Sequence, residues 1–550
     1  MMYDMAIIGG GHNSLVCSAY LAMAGFRVVV LEQRAVVGGA AVTEEFSPGF
    51  FNSVASYAVS LLNPKIIRDL DLAGHGLRIV ERPISNFLPL DDGGFLKVGG
   101  GQTKREVAKF STRDADRLDD YQARLTAVAD VLRATVLETP PNVVEGRPLS
   151  AIAEWIKAGR IGNRIRALGL DLQRDLLDLF MGSAGDFLDG WFESAPIKAA
   201  FGFDSVVGNY ASPYASGSAY VLLHHCFGEV NGKKGVWGHA IGGMGSITQA
   251  MAKAAVAHGV EIKLSTRVRR VIIENGRAVG VETEGGEAIR ATAIAAGINP
   301  KLLYLDLVES FTLPDGFRQG MEKWRCGSGT FRMNVALSEL PDFSALPGRA
   351  CAEHHASGII IAPSLGYMER AYFDARSFGW SRRPIVELVI PSTLDGTLAP
   401  RGQHVASLFG QHVAPKLPDG SSWDDHRETV ADLMIETVDK YAPNFRRSVL
   451  ARQILSPLDL ERSFGLVGGD IFHGSLDLRQ IFSARPMLGH ANYRGPIEGL
   501  YLCGSGAHPG GGVTGAPGHN AAREILRDLK RKRFVRKRWL ESGPIPHLPR

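Results

Sequence analysis

The chain has 550 residues, 45% of them hydrophobic and 21% charged, which describes a folded globular protein too long for a single hydrophobic core. Its net charge of +4 is too small to point to nucleic acid. Its five cysteines are scattered without a Cys-x-x-Cys pair, which argues against a disulfide framework, a zinc site and a dithiol centre.

An apolar strand pattern begins at Tyr3 and runs into Gly9-Gly10-Gly11-His12-Asn13-Ser14. So early a strand leaves no room for a cleavable leader, and no run of about 18 uncharged apolar residues follows. The expectation is a cytoplasmic protein without a spanning helix. A helical pattern from Leu15 to Ala24 closes at Gly25, and a second buried strand, Phe26 to Leu31, ends at Glu32. Strand, glycine turn, helix, strand and acid in this order form the frame that a dinucleotide fingerprint requires. Gly9 permits the tight turn, and Gly11 lets backbone approach a pyrophosphate. The N–H groups of His12, Asn13 and Ser14 open the helix toward anionic oxygens. Glu32 accepts from ribose hydroxyls and repels a 2′-phosphate. Ser14 stands where the fingerprint has its third glycine, which predicts slightly looser helix–strand packing. Gln33, Arg34 and the pair Gly38-Gly39 before Ala40 continue the candidate site.

Residues 76–234 read as largely helical, most clearly over 113–137 and 151–187. His224 and His225 follow as adjacent polar residues. Neighbours on a strand or a helix diverge, so one of the two is expected to face a pocket. Gly242-Gly243-Met244-Gly245 opens a helix from Ser246, the expected N-cap, to His258. Short strand runs between 261 and 295 are split by Asn275-Gly276 and Gly285-Gly286. Further strands are expected at 358–361 and 385–390, and a helix near 427–441. His473 sits in a glycine-containing stretch shortly before the last segment.

That segment repeats the logic of the first. An apolar strand, Leu500 to Cys503, leads to a glycine-rich loop, Gly504 to Gly515, and a helix is expected from near Thr514. The two ends of the chain are thus expected to close one cofactor site, with Gly504, Gly511, Gly512, Val513 and Thr514 contributing. His508 is expected to fix the loop. Beyond the helix, 527–550 is a basic tail with Phe534 and Trp539. It reads as a solvated extension or oligomer contact, with a membrane surface as the alternative.

Cys503-Gly-Ser-Gly-Ala-His-Pro-Gly-Gly-Gly-Val-Thr-Gly, Leu222-Leu-His-His-Cys-Phe-Gly-Glu, Trp191-Phe-Glu-Ser and Pro391-Ser-Thr-Leu-Asp395 together resemble the phytoene desaturase-like FAD oxidoreductases, including the desaturase-like carotene ketolases. The resemblance spans essentially the whole chain. It implies FAD, an α/β fold with a Rossmann-type, glutathione reductase-like FAD domain, and a mixed helical and sheet substrate domain. It makes Gly38-Gly39 a second flavin contact and Val268 a backbone contact to adenine. The FAD domain is expected to be discontinuous, at 1–75, 235–305 and 485–550, with 76–234 and 306–484 forming the substrate side.

The expected reaction is hydride transfer from a hydrophobic small molecule to flavin N5, with His224, His225 and His473 as catalytic candidates and no metal. With one complete fingerprint, oxygen or a quinone is a better acceptor than a second nicotinamide site. Two alternatives stay open: an amine oxidoreductase on the same fold, and a non-catalytic FAD-binding scaffold. Monomer and homodimer are both compatible with the sequence.

Overall fold

The computed structural model describes residues 2–144 and 148–542, without the side chains of 148–150 and 531–542. The strands of its two large sheets, in chain order, are β1 (Tyr3–Ile8), β2 (Val28–Leu31), β3 (Asn86–Pro89), β4 (Phe95–Val98), β5 (Glu261–Lys263), β6 (Val268–Glu274), β7 (Arg277–Thr283), β8 (Ala288–Ala296), β9 (Thr330–Leu337), β10 (Gly358–Ile361), β11 (Trp380–Val389), β12 (His404–Val413), β13 (Val449–Leu455) and β14 (Leu500–Leu502). The helices used below are α1 (His12–Met23), α2 (Thr112–Val136), α3 (Pro148–Ala167), α4 (Leu170–Met181), α5 (Ser218–Cys226), α6 (Met244–Ala257), α7 (Leu365–Phe378), α8 (Trp423–Asp439) and α9 (Ala516–Ser542).

The first sheet joins the chain's beginning, middle and end. Parallel strands run in the order β5-β2-β1-β8-β14, and β6 and β7 extend β8 as an antiparallel meander. Its central strands are wholly apolar where both faces are covered, as in Val28-Val-Val-Leu31, because α1 and α6 pack with them in one core. The register aligns the carboxyl ends: Lys263, Leu31, Ile8, Ala296 and Leu502 form one row across the sheet. In open α/β sheets ligands bind beyond such a row, where connections leave in opposite directions.

The second sheet runs β13-β9-β12-β11-β10-β3-β4 and is antiparallel except between β10 and β3. Alternate residues face opposite sides, so Phe409 of β12 joins the core shared with α7 and its neighbour Leu408 joins the core shared with α8. The hairpin at 86–98 departs from the helical expectation for 76–234. Its strands are four residues each, too short for periodicity to register beside the long helices after it.

Two helix starts also differ from expectation. α6 begins at Met244, and Ser246 is not its cap. Gly243, at φ +76°, turns the chain in, and the Ser53 and Thr43 hydroxyls accept from the Met244 and Gly245 N–H groups. α9 begins at Ala516, whose N–H donates to the Thr514 hydroxyl.

α1 and α9 touch backbone to backbone. A Cβ at Gly518 would stand 2.1 Å from the Asn13 carbonyl oxygen. Gly518→Ala is therefore expected to lower stability by about 1–3 kcal/mol, whereas Gly159→Ala, in open space on α3, raises it by up to about 1 kcal/mol. Thermal unfolding of the two variants checks the contrast.

Candidate functional site

A cavity of about 630 Å³ opens at the row of carboxyl ends. Gly9 turns the chain at φ +85°. The Leu15 N–H is the first to reach an intrahelical carbonyl, that of Gly11, which leaves the first N–H groups of α1 at the cavity. Nothing lies within 4 Å of where a Cβ of Gly11 would stand. From the other side Gly38, at φ +130°, bridges Gly11, and a Cβ at Gly39 would approach the Gly11 Cα to 3.3 Å. Two bare backbone segments thus frame a slot with a positive helix terminus at its base.

Glu32 is buried at one end. Its carboxylate accepts from the Gly10 N–H at 2.6 Å and the Arg34 N–H at 2.8 Å, which leaves acceptor positions for a ligand. The Arg34 guanidinium pairs with Glu44 and lies over the Phe464 ring at 4.9 Å. His12 Nε2, Asn13 Oδ1, an Arg34 Nη and His473 Nδ1 are buried at this cavity without a partner. Unsatisfied buried polar atoms are rare in folded proteins. Together with the cradle at Gly11 they fit a dinucleotide with phosphates at α1 and a ribose at Glu32.

Of the residues proposed from the sequence, the first turn apart from Ser14, the whole group from Glu32 to Ala40 that was named, Val268, Gly512 and Val513 line this cavity. Val513 does so at φ +56°, an uncommon conformation for a β-branched residue. Ser14, Gly504, Gly511 and Thr514 do not. Ser14 faces Gly297, and Cβ atoms at Gly504 and Gly511 would strike the Gly297 carbonyl and Phe472. Gly504 and Gly511 are bare where close packing requires it. Asn13 Nδ2 donates to the Ser505 hydroxyl at 3.1 Å and so joins the first helix to the last loop.

The histidines separate as helix geometry requires. α5 carries both His224 and His225, and only His225 lines the cavity. Its Nδ1–H donates to the Val221 carbonyl at 2.8 Å, and its ring lies nearly parallel to Trp237. His224 is packed between Phe227 and Phe472, and His508 reaches the Thr135 carbonyl at 3.2 Å. His473 lines the cavity at φ +58°. Its conformation is held from both sides. Asp470 accepts from the Phe472 N–H at 2.8 Å, and Arg485 donates to the carbonyls of Phe472 and Gly474 at 2.8 and 3.1 Å. Arg485, with no solvent exposure, also donates to the Ser505 carbonyl at 2.7 Å, so one guanidinium fixes His473 and the last loop together.

Burial keeps all five of these histidines neutral. It lowers His12 and His224 to about 3, and His225, His473 and His508 to about 4. The nearby His473 adds to the effect at His12, and the Arg485 charge adds to it at His224, His473 and His508.

The aromatic lining of the cavity was not legible in the sequence: Tyr57, Trp237, Phe409 and Phe472 provide it. Tyr57 lies 5.4 Å from Phe409, under the Arg332 guanidinium at 4.4 Å, and donates its hydroxyl to buried Glu387. Burial and the Glu387 charge hold the Tyr57 phenol well above its ordinary value. These rings come from four separate segments and share no local motif.

The match to a family model described as flavin containing amine oxidoreductase covers residues 15–330. The chain belongs to that family. It is a flavoprotein whose cofactor is FAD. It is similar over its whole length to pyridine nucleotide-disulfide oxidoreductase domain-containing protein 2 of Rattus norvegicus, at 40% identity covering 96% of this chain and 94% of the relative. A phytoene desaturase (lycopene-forming) of Pantoea ananas is 24% identical over 96% of this chain and all of its own. Among solved structures, cyclohexylamine oxidase from Brevibacterium oxydans shares the fold with a TM-score of 0.57 at 14% identity, covering 96% of this chain and 100% of that one. The word disulfide in the rat protein's name has no counterpart in this flavoprotein's thiols. Cys17 and Cys503 meet in the core, but both are free and buried, and the Cys503 thiol and burial push Cys17 well above its ordinary value.

Two outcomes follow for this family member. Gly11→Val keeps a backbone conformation open to valine, φ −70° and ψ 166°, while its side chain fills the cradle. The variant is expected to unfold at the temperature of the FAD-free native protein and to bind no FAD, measured by flavin absorbance after reconstitution. The five neutral histidines have folded values below the unfolded one, so the unfolded chain takes up protons first. Their contribution is complete above about pH 6.5 and is lost as pH falls toward 4, at up to about 1.4 kcal/mol per pH unit for each. Unfolding temperature is expected to fall over that window, checked by calorimetry.

Proposed function

We propose that this flavoprotein dehydrogenates a lipophilic small molecule that lies against the aromatic lining of the cavity. The observation that carries the reading is the continuity of one cavity from the glycine turn to Tyr57, Trp237, Phe409 and Phe472. Bound FAD supplies a hydride acceptor at N5. We assign its binding to the body built from 1–75, 235–305 and 485–550, and the substrate to the second sheet and the helices beside it.

The protein's own part is placement and exclusion of water. The first N–H groups of α1 would hold the pyrophosphate, Glu32 the ribose, and the Val268 backbone the adenine. His225, with Nδ1 engaged by the Val221 carbonyl and the Asp204 backbone also bonding its ring, stays neutral at the cavity wall. His473, neutral and held by Arg485, offers Nδ1 as an unpaired hydrogen-bonding atom. These two are our candidates for groups touching cofactor or substrate, and His224 is a packing residue. Behind Tyr57, burial raises Glu387 and lowers Arg332 to about 10. The phenol donates to the carboxylate, while the guanidinium lies over the phenol ring and donates to the Leu408 carbonyl and the Ser407 hydroxyl.

The lycopene-forming desaturase among the relatives supports a hydrocarbon-like substrate. A second reading, oxidation of an amine, is favoured by the family description. Anaerobic mixing of the FAD-loaded protein with a panel of polyenes, terpenes and alkylamines separates the two. Loss of flavin absorbance is expected with an unsaturated lipophile, while NADH and NADPH leave it unchanged on the same timescale. Bleaching by amines alone would overturn the first reading in favour of the second, and rapid bleaching by NADH would overturn the expected electron acceptor.

A further inference from the structure

We propose that α3 and the segments tied to it form a docking surface for an anionic lipid membrane. On α3, Ile152, Trp155 and Ile156 are 57%, 62% and 51% exposed. Their spacing of three and four residues puts them on one face of the helix. Apolar side chains of this size are rarely left so open together unless something covers them. The same helix carries Lys157, Arg160, Arg164 and Arg166 against a single carboxylate of its own, Glu154; the three arginines are exposed, with Lys157 paired to Glu154 and Arg164 to Glu138. An exposed apolar face with tryptophan, followed by arginines, is the composition of a helix lying in a membrane interface.

The surface is wider than the helix. The Asn142 N–H donates to Glu154 of α3 at 2.9 Å, and the Asn142 side chain donates to the Gly489 carbonyl at 2.8 Å. These bonds bring Val143, Val144 and Leu488, all exposed, to the same side as the start of the helix. The segment carrying Leu488 also contains Arg485, which holds His473 in the cavity. α4, two residues beyond α3, packs Phe180 against Tyr220, whose cluster includes Phe472 of the cavity wall. The exposed face is thus connected to the aromatic lining of the cavity through a few packed residues.

A second copy of the chain fits this face less well. Arg160 and Arg166 have no carboxylate partner among the described residues, and a second copy of the same basic helix would not supply one to neutralise them. An anionic headgroup layer complements them while the apolar side chains enter its boundary. No helix among the described residues is long and apolar enough to cross a membrane, so the contact is with the surface. The purpose of the contact, access for a lipophile, rests on the function proposed above, but the binding does not, and the test uses no substrate.

FAD-loaded full-length protein is sedimented with phosphatidylcholine vesicles prepared with and without phosphatidylglycerol. Binding is expected with phosphatidylglycerol and weaker without it. Replacing Ile152, Trp155 and Ile156 by serine is expected to weaken binding by at least about tenfold with an unchanged flavin spectrum. Should that variant fail to load FAD, Arg160→Glu with Arg166→Glu, both fully at the surface, is expected to abolish the preference for the anionic vesicles. A chain ending at Lys530 keeps Asp528, the partner of Arg494, and is expected to bind as the full chain does. The proposal is overturned if native protein sediments with neither vesicle, if both variants bind as native, if removal of 531–550 alone abolishes binding, or if light scattering shows a dimer that the serine variant dissociates.

Discussion

The molecule is organised around one requirement: a helix terminus with unpaired N–H groups lies open to a cavity, with no side chains in the way. The open end of α1 meets that requirement only because three chain segments stay bare around it. Gly11 leaves the cradle open, Gly38 and Gly39 close on it from 27 and 28 positions away in sequence, and Gly518 lets α9 come down onto Asn13. The last contact explains the connectivity of the first sheet. If α9 must reach α1, the strand before it must lie at the same edge, and β14 pairs with β8 beside β1. A cavity built from both ends of a 550-residue chain follows from the geometry of one helix start.

A second constraint acts within the first. Burying a guanidinium costs several kcal/mol unless its donors are satisfied. Arg485 satisfies them with main-chain carbonyls of Ser505, Phe472, Gly474 and Gln480. Backbone partners do not neutralise charge, so the cation adds to burial in keeping His224, His473 and His508 unprotonated. The same bonds fix His473 at a positive φ, a conformation that costs about 1–3 kcal/mol when a non-glycine residue is held in it. A strained backbone, an unpaired nitrogen and a buried charge coincide at the cavity, where the surrounding structure holds them together.

What the sequence disclosed follows from this division. The glycine turn, Glu32, the Gly38-Gly39 pair, the strand at Val268 and the returning loop are each contiguous, and their chemistry needs little besides local backbone. The pairing of both chain ends was legible for the same reason. The aromatic lining was hidden, because Tyr57, Trp237, Phe409 and Phe472 are isolated rings in unrelated segments until the second sheet is assembled. His224 and His225 could be separated only once α5 fixed their directions. Gly504 and Gly511 are bare where close packing requires it, and in the sequence such a glycine is the same letter as one bare for a ligand. The expected tail contact falls on side chains outside the described residues, while the exposed face on α3 was concealed within a helix whose periodicity suggested a packed element.

The departure at Ser14 shows what the glycine fingerprint encodes. Its third position is a statement about space between the first helix and the sheet edge, and either partner can leave that space empty. Here the helix carries the side chain and the facing strand end gives way: a Cβ on Gly297 would stand 2.0 Å from the Ser14 hydroxyl oxygen. The looser packing expected from serine is therefore absent. Ser14 has no solvent exposure, and the Cys503 thiol closes over its hydroxyl at 4.0 Å. The glycine has moved from one wall of the gap to the other, to a residue 283 positions away in sequence. A fingerprint written on one segment alone undercounts the ways a chain can make the same gap, and this chain makes it at Gly297.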